Sequence, residues 1–390
     1  MSRVYTSGYE ETNSASNALT MGWGAVNGSA TISTTNPHSG TYCLLSPSTA
    51  TTGAWRRDFA TNVTSGTYYF RWYFRTSTAT PGSNTTMFVS RSDADATCMS
   101  VALLTTGQIR LTNVANASTT FDTVGSVTAD TWYRIELRHL IHASAGDMEL
   151  RWYLGDNTTE IETPLLTSGV DTLITNIRWQ YIGKFTATNS VAFAIDDVAC
   201  NVASGTFQTS WCGPAKTALM VPTGDSTPVE WTPSTGTDHF ALVDDAPGAP
   251  DDDTTYVSAA VANREDWYTL TDLPAEVPST ATLILADTMA RWKGNAVTPQ
   301  VRVRFWDGVA ITAGTTHTLT TSYAFTNTNN KLVTDLAGKT KANAANFESA
   351  VQVIDALEAR CTATWTNIEW LEATGVNTNI EVPTTVYTGP

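Results

Sequence analysis

Short segments in which apolar and polar side chains alternate recur about every ten to fifteen residues from Thr67 onward. The segment 132–140 (WYRIELRHL) is typical, because Tyr133, Ile135 and Leu137 fall on one face of a strand and Arg134 and Glu136 fall on the other. Gly, Asn and Asp separate the segments, as in antiparallel strands joined by tight turns. This period of two predicts β-sheets with one dry face and one wet face.

The length of the chain predicts two such units. A sequence of 390 residues is too long for one ordinary sandwich and suits two of roughly 180 to 200 residues, each large enough to bury its own core. The 13 Trp, 13 Tyr and 12 Phe favour strands, since aromatic side chains pack well on a pleated sheet. The predicted fold class is all-β, with two antiparallel β-sandwich (jelly-roll) domains.

The domain boundary is predicted near Ser204, where an Ala-Ser-Gly sequence follows the last strand of the first block. One short helix is expected in the second domain, because Ala345, Phe347 and Val351 recur at roughly helical spacing. The predicted organisation is a first sandwich over 1–204, a connection over 205–222, a second sandwich over 223–372 with a helix near 342–357, and a polar C-terminal arm over 373–390.

Charge and hydropathy exclude two classes of partner. The net charge is −15 and the Lys and Arg residues are scattered, whereas nucleic-acid binding needs clustered cations. No segment approaches the roughly 18 to 20 apolar residues of a membrane span, and residues 1–10 lack the basic start and apolar run of a signal peptide. We therefore expect neither nucleic acid nor membrane as a partner.

The five cysteines do not form a recognisable framework. Their number is odd and they include no CxxC pair, which argues against both a disulfide scaffold and a zinc site. We expect buried thiols that pack as small apolar side chains. A bridge between Cys200 and Cys212 stays open as an alternative.

The densest charged segment is VDDAPGAPDDDTTYV, residues 243–257. Oxygen-rich acidic loops suit Ca²⁺, so a calcium site is one interpretation. A solvated acidic loop is another, and carboxylates that cap backbone N–H groups at a turn are a third. The candidate calcium ligands are Asp244, Asp245, Asp251, Asp252 and Asp253; no other cofactor is predicted.

No catalytic constellation is evident. A glycosidase would need two carboxylates on one strand face, but the adjacent Asp196 and Asp197 are expected to point to opposite faces, and Glu160 and Glu162 lie in a loop-like segment. The chain has no nucleophile elbow and no phosphate-binding glycine loop. We predict that the protein is not an enzyme.

Two groups of segments resemble known proteins. The segments WYRIELRHL, MELRWYLGD and IDDVACN are similar to strands of the concanavalin A-like (laminin G-like) jelly roll. The junction TFQTSWCGPAKTALMVPTGD and the later DHFALVDDAPGAPDDDTTYV are similar to tailed-bacteriophage structural proteins, in which a laminin G-like domain precedes a second β-domain. The resemblance covers residues 1–372 and carries no catalytic residues.

The resemblance implies a virion protein that is assembled in the host cytoplasm and is tail-associated or fibre-like, with sandwiches that contact host-surface glycans. Its expected partners are other tail or capsid proteins and copies of itself, with a trimer favoured because phage appendages stand on symmetric platforms. A head decoration or head-fibre protein is the first alternative. A secreted lectin or glycoside hydrolase is the second.

Overall fold

A computed structural model describes residues 3–10, 23–186, 188, 190–246, 249–325 and 332–372. Strands dominate these residues, and the strand pairs in the four sheets are antiparallel. The predicted fold class, all-β with two antiparallel sandwiches, is confirmed. The arm predicted over 373–390 lies outside the described residues.

Within the described residues the first sandwich contains fifteen strands. They are β1 Arg3–Ser7, β2 Trp23–Gly28, β3 Thr31–Ser33, β4 Cys43–Ser46, β5 Gly53–Val63, β6 Gly66–Thr76, β7 Thr85–Arg91, β8 Thr97–Leu103, β9 Ile109–Asn113, β10 Thr119–Asp122, β11 Trp132–Ile141, β12 Gly146–Leu154, β13 Leu165–Val170, β14 Ile177–Lys184 and β15 Phe193–Val202. One sheet has the order β13-β12-β11-β6-β15-β4-β3 with β1 added beside β15, and the facing sheet has the order β10-β9-β8-β7-β14-β5-β2.

The described part of the second sandwich contains thirteen strands. They are β16 Lys216–Met220, β17 Pro222–Val229, β18 Thr232–Pro233, β19 Val257–Ala259, β20 Glu265–Leu270, β21 Thr282–Gly294, β22 Gln300–Trp306, β23 Ile311–Ala313, β24 His317–Thr318, β25 Ala324–Phe325, β26 Leu332–Asp335, β27 Glu348–Val353 and β28 Ala359–Leu371. In one sheet β28 lies between β19 and β21, and β16 also pairs with β28; in the other the order is β17-β20-β27-β22-β23.

Each sandwich has its own core between its two sheets, as the alternating pattern predicts. In the first, Trp72 of β6 stacks on Phe88 of the opposite sheet, with ring centroids 4.9 Å apart. In the second, Val301 and Val303 of β22 are fully buried. Burial of large apolar side chains contributes about 1.5–3 kcal/mol each, so these two cores supply the main stabilising term.

The helix predicted near 342–357 is wrong in extent. In that range the structure has one helical turn, α1 Lys341–Ala344, followed by the strand β27. Phe347, Val351 and Val353 also fit a period of two, and β27 lies between β20 and β22, which supply hydrogen-bond partners on both sides. The short segment fits helical and strand periods equally well, and its pairing with two neighbouring strands made it a strand.

The predicted connection over 205–222 is too long. Its final residues form β16, which pairs with β28 from Lys216↔Trp370 to Met220↔Thr366, and Pro222 begins β17. The segment KTALM was apolar enough to be a strand, but its partner is about 150 residues away in the sequence, which local pattern cannot reveal.

The expectation of one wet sheet face is also wrong at the centre of the first domain. On β11 the side chains of Tyr133, Ile135 and Leu137 are buried in the core as predicted, but Arg134 and Glu136 on the other face are only 1% and 2% exposed. Residues of the connection lie against that face, since the Gly213 N–H donates to Glu136 Oε2 at 3.3 Å. At its centre, the outer face of this sheet is therefore covered by the connection and not exposed to solvent.

Candidate functional site

The two sandwiches meet through a buried network of charges. Glu369 of β28 lies between two guanidinium groups of the first domain: Arg71 Nη1 is 2.8 Å from its Oε1, and Arg3 Nη2 is 2.8 Å from its Oε2. All three side chains are fully buried. Burial alone would lower the pKa of Arg71, but Glu369 together with smaller contributions from neighbouring groups outweighs burial and raises that pKa. We call Arg3, Arg71 and Glu369 the junction triad.

Arg71 reaches Glu369 because it lies at the middle of β6, a strand whose alternate side chains Phe70 and Trp72 point into the core. Its Nε donates to the Asp197 carbonyl at 2.9 Å, and its Nη1 also donates to the Gly213 carbonyl at 3.4 Å. The guanidinium therefore binds the first domain, the connection and the second domain at once.

A second set of contacts centres on Asp156, in the turn after β12. Its Oδ1 accepts the Tyr73 hydroxyl at 2.9 Å and lies 3.1 Å from His38 Nε2, while its Oδ2 lies 2.8 Å from Lys216 Nζ of the second domain. Although burial alone would raise the pKa of Asp156, His38 and Lys216 together lower it below its ordinary value. Asp156 is therefore a charged link between the two sandwiches.

His38 is enclosed by this set. Its Nδ1 lies 2.7 Å from Asp197 Oδ2, its ring stacks on Tyr73 at 3.7 Å, and Trp132 meets it edge-on. Burial alone would lower the pKa of His38, but its hydrogen bonds with Asp156 and Asp197 raise that pKa above its ordinary value. The folded state therefore favours the imidazolium form.

Asp196 and Asp197 do not point to opposite faces as the sequence suggested. The register of β15 shifts between Asp196 and Ala199, and Asp197 adopts a left-handed conformation with φ of 44°. This bulge brings both carboxylates to the same segment, because Asp196 Oδ2 accepts the His38 N–H at 2.8 Å and Asp197 accepts the Ser39 hydroxyl. A bulge changes which face a side chain takes, and alternation alone cannot predict it.

The two aspartates differ in role. Burial, and then the nearby Asp197, raise the pKa of Asp196 well above its ordinary value. Asp197 instead crosses to the second domain, where its Oδ1 accepts the Thr217 N–H at 2.9 Å and lies 3.1 Å from the Thr217 hydroxyl. Both are fully buried, so a substrate cannot reach either carboxylate.

The acidic segment near residue 250 has protein partners. Asp252 forms a two-pronged ion pair with Arg291, and Asp253 pairs with Lys293 at 2.5 Å and Arg360 at 3.2 Å. The Lys293 ammonium, aided by Arg360, lowers the pKa of Asp253.

The other three predicted calcium ligands are arranged differently. Asp251 caps the turn by accepting the Thr255 N–H at 3.1 Å, Asp245 accepts the Asp251 N–H at 2.8 Å, and burial raises the pKa of Asp245 to about 6. The Asp244 backbone bridges to Ala363. Within the described ranges, no three His, Cys, Asp or Glu side chains are placed to hold a metal ion. The turn-capping interpretation describes Asp251, and calcium binding stays a prediction.

The remaining candidate residues have structural partners. Glu160 lies 3.4 Å from Arg151 Nη1, and Glu162 accepts the N–H groups of Val124 and Gly125. The five cysteines are free and buried, as expected, so the alternative bridge between Cys200 and Cys212 is not formed. In the part of the chain that the structure describes, no helix has the length and apolarity needed to cross a membrane.

The sequence did not identify the residues that join the domains. Arg71 and Glu369 each occupy a polar position in an alternating strand, which is the pattern of a solvent-facing side chain. His38 lies in a loop without any metal or catalytic spacing. The adjacent aspartates at 196 and 197, unusual within an otherwise apolar strand, were the one available signal.

Comparison with known proteins gives similarities to solved structures alone. No family model matches the chain, and no curated protein matches it. The cellulose-induced protein Cip1 is 14% identical over 54% of this chain and 99% of its own, with a TM-score of 0.39. Lectin II from Ulex europaeus is 10% identical over 45% of this chain and 91% of its own, with a TM-score of 0.31.

A sialidase is 10% identical over 51% of this chain, with a TM-score of 0.36. The match spans only 18% of the sialidase chain. TM-scores in this range assign neither a substrate nor an activity.

Close approach of the two sandwiches requires a glycine at position 8. A Cβ there would lie 1.7 Å from Thr217 Oγ1 and 3.2 Å from Asp197 Oδ1. Gly8→Ala should therefore lower the free energy of unfolding by about 1–3 kcal/mol, the usual cost of overpacking, as measured by urea denaturation. Gly82→Ala is the matched control, because nothing lies within 4 Å of its added Cβ; equal stability of the two variants would contradict the junction geometry.

The raised pKa of His38 predicts a pH dependence of stability. The folded state binds this proton more tightly than the unfolded chain, so the stabilisation is complete below the unfolded pKa of about 6.5 and is lost as the pH rises through the folded pKa. The difference in unfolding free energy between wild type and His38→Gln should therefore be larger at about pH 6 than at about pH 9.

The pKa of His139 is shifted in the opposite direction to that of His38. It is fully buried, its Nε2 lies 3.0 Å from the Thr172 carbonyl, and burial lowers its pKa to about 4. Neutral His139 therefore contributes fully to the free energy of unfolding above the unfolded pKa of about 6.5, and this contribution falls as the pH drops towards the folded pKa. A wild-type minus His38→Gln difference that grows with rising pH would contradict the assignment of His38.

Proposed function

We propose that the protein is a non-enzymatic structural component of a tailed-phage virion, tail-associated or fibre-like, which presents its two sandwiches as one rigid body to host-surface glycans. The observation that carries this proposal is the junction triad, in which Glu369 of the second domain is buried against Arg3 and Arg71 of the first. A shift of one domain against the other that kept these groups out of water would leave an uncompensated buried charge, which typically costs about 3–5 kcal/mol, so the triad fixes the relative placement of the two domains. A rigid two-domain unit suits a protein that transmits position and force within a particle.

The state of the acidic residues supports a non-catalytic role. Hydrolysis at a carboxylate pair needs one acid and one base that a substrate can reach. Asp196 and Asp197, which the bulge in β15 brings to one segment, are fully buried and hydrogen-bonded to the protein. Their carboxylates act as buried hydrogen-bond acceptors that hold the fold together.

The exposed apolar residues favour assembly. Within the described residues the large hydrophobic side chains that are most exposed are aliphatic, including Val124 at 90% and Val309 at 73%. Ile311 lies beside Val309 at the turn before β23, and Val229 and Val261 line one groove. Exposed apolar surface of this kind suits contact with neighbouring protein subunits.

The assignment to a virion rests on the resemblance of the junction and acidic segments to tailed-phage structural proteins. It agrees with the low share of charged residues, 15%, and with five thiols that form no disulfide. The proposed partners are other tail or capsid proteins and copies of this chain, in a trimer.

Immunogold labelling of intact phage particles with an antibody against this chain tests the proposal. Label on the tail is the expected result. Label on the shell would contradict the tail assignment and favour the head-decoration alternative. Absence of label from particles that contain the chain's gene, with the antibody verified on purified protein, would overturn the virion assignment.

A further inference from the structure

A cleft of about 410 Å³ is lined by residues of both sandwiches. Its volume falls in the range of small-molecule sites, which often lie at domain interfaces. The residues that matter here are Glu10 and Tyr42 from the first domain and Leu219, Val221, Asp244 and Glu276 from the second.

The wall from the first domain is held in place by Glu10. Its Oε1 accepts the N–H groups of Thr41 and Tyr42, each at 2.8 Å. Gly40 makes room for this carboxylate, because a Cβ there would lie 2.3 Å from Glu10 Oε1, and its φ is 63°. The cleft therefore has a preformed edge with a carboxylate in a fixed position.

Tyr42 provides an aromatic surface in this wall. Its ring is half-buried and packs partly on the first core. Other half-buried aromatic rings carry a cation, as Trp211 does beneath Arg151 at 4.1 Å and Tyr256 beneath Arg360 at 4.5 Å. Tyr42 lines the cleft, and among the described residues no cation or second aromatic ring is stacked on it.

The wall from the second domain has an apolar floor and two more carboxylates. Leu219 and Val221 pack on a small cluster that includes Trp365. Lys341 Nζ fixes the loop that carries Glu276, since it donates to the carbonyls of Pro274 at 2.7 Å and Val277 at 2.8 Å. Asp244 and Glu276 form no side-chain hydrogen bond or ion pair with the other described residues, and burial raises the pKa of Asp244.

We propose that this cleft binds an uncharged saccharide, a step that rests on the glycan contact in the proposed function. The Tyr42 ring stacks against the C–H face of a pyranose, and the carboxylates of Glu10, Asp244 and Glu276 accept its hydroxyl groups. The described lining residues include three carboxylates and no Lys, Arg or His, so they repel an anionic sugar. The cleft therefore selects neutral over sialylated glycans.

The test uses the full chain on an array of immobilised glycans that presents each neutral core with and without a terminal sialic acid. We expect binding to neutral glycans and its loss on sialylation. Titration of the best neutral glycan, free in solution, into wild type, Tyr42→Ala, Tyr42→Trp and Asp244→Asn then locates the site. Tyr42→Ala should weaken binding about tenfold or more, Tyr42→Trp should retain it because stacking is preserved, and Asp244→Asn should weaken it.

Tyr256→Ala is the matched control, because this half-buried tyrosine lies outside the cleft; its binding should equal that of wild type. Preference for sialylated glycans, binding of the protonated amine glucosamine in place of neutral sugars, or an unchanged affinity in folded Tyr42→Ala would each overturn the proposal. So would the absence of binding to every glycan on the array. Particle labelling is independent of all these results, so failure here is distinguishable from failure of the virion assignment.

Discussion

Glu369 holds its carboxylate between Arg3 and Arg71 at a depth where water does not reach any of the three side chains. An isolated charge at such a site would cost several kcal/mol to desolvate, so each member is tolerable only while the others are present. β28 carries Glu369 and lies inside the sheet of the second domain, while β6 carries Arg71 and lies inside the sheet of the first. The charges therefore join the outer faces of two central strands, since the neighbours of Arg71 and of Glu369 along each strand point into the two cores.

This arrangement explains why so much polar chemistry is buried. Asp156, Asp197 and Lys216 surround the boundary between the domains and find their partners across it. Such hydrogen-bonded charges fix the relative placement of the two domains more than they add to net stability, because the cost of desolvating them offsets much of their mutual attraction. One relative placement of the sandwiches satisfies all of them, and that placement also shapes the cleft around Tyr42.

The sequence predicted the fold class because period-two patterning is a local signal, legible in strands such as β11 and β22 without knowledge of their neighbours. Prediction from the sequence failed where the local structure depended on residues far away in the chain. Residues 348–353 fit helix and strand alike until β20 and β22 were placed beside them. Glu136 looked solvent-facing because the segment that covers it begins about 70 residues later. The side chain of Asp197 leaves the face that strict alternation predicts because the residue lies in a β-bulge, and a bulge leaves no periodic pattern in the sequence.

The candidate site was hidden for the same reason. Arg3, Arg71 and Glu369 are separated by up to 366 residues, counting from 3 to 369, and no local motif marks them. The acidic segment near residue 250 was the more conspicuous feature, yet Arg291, Lys293 and Arg360 neutralise much of it. A dense run of charges in a sequence reports local composition, whereas the charged contacts between these two domains depend on which distant residues the sheets bring together.

Differential scanning calorimetry of the wild-type chain and of Glu369→Gln tests the rigid junction most directly. If the triad makes the two sandwiches one cooperative unit, the wild type unfolds in a single transition whose calorimetric and van't Hoff enthalpies agree. Glu369→Gln, which leaves two buried guanidinium groups without their carboxylate, should then separate the unfolding into two transitions. Two independent transitions in the wild type, unchanged by the substitution, would contradict the account.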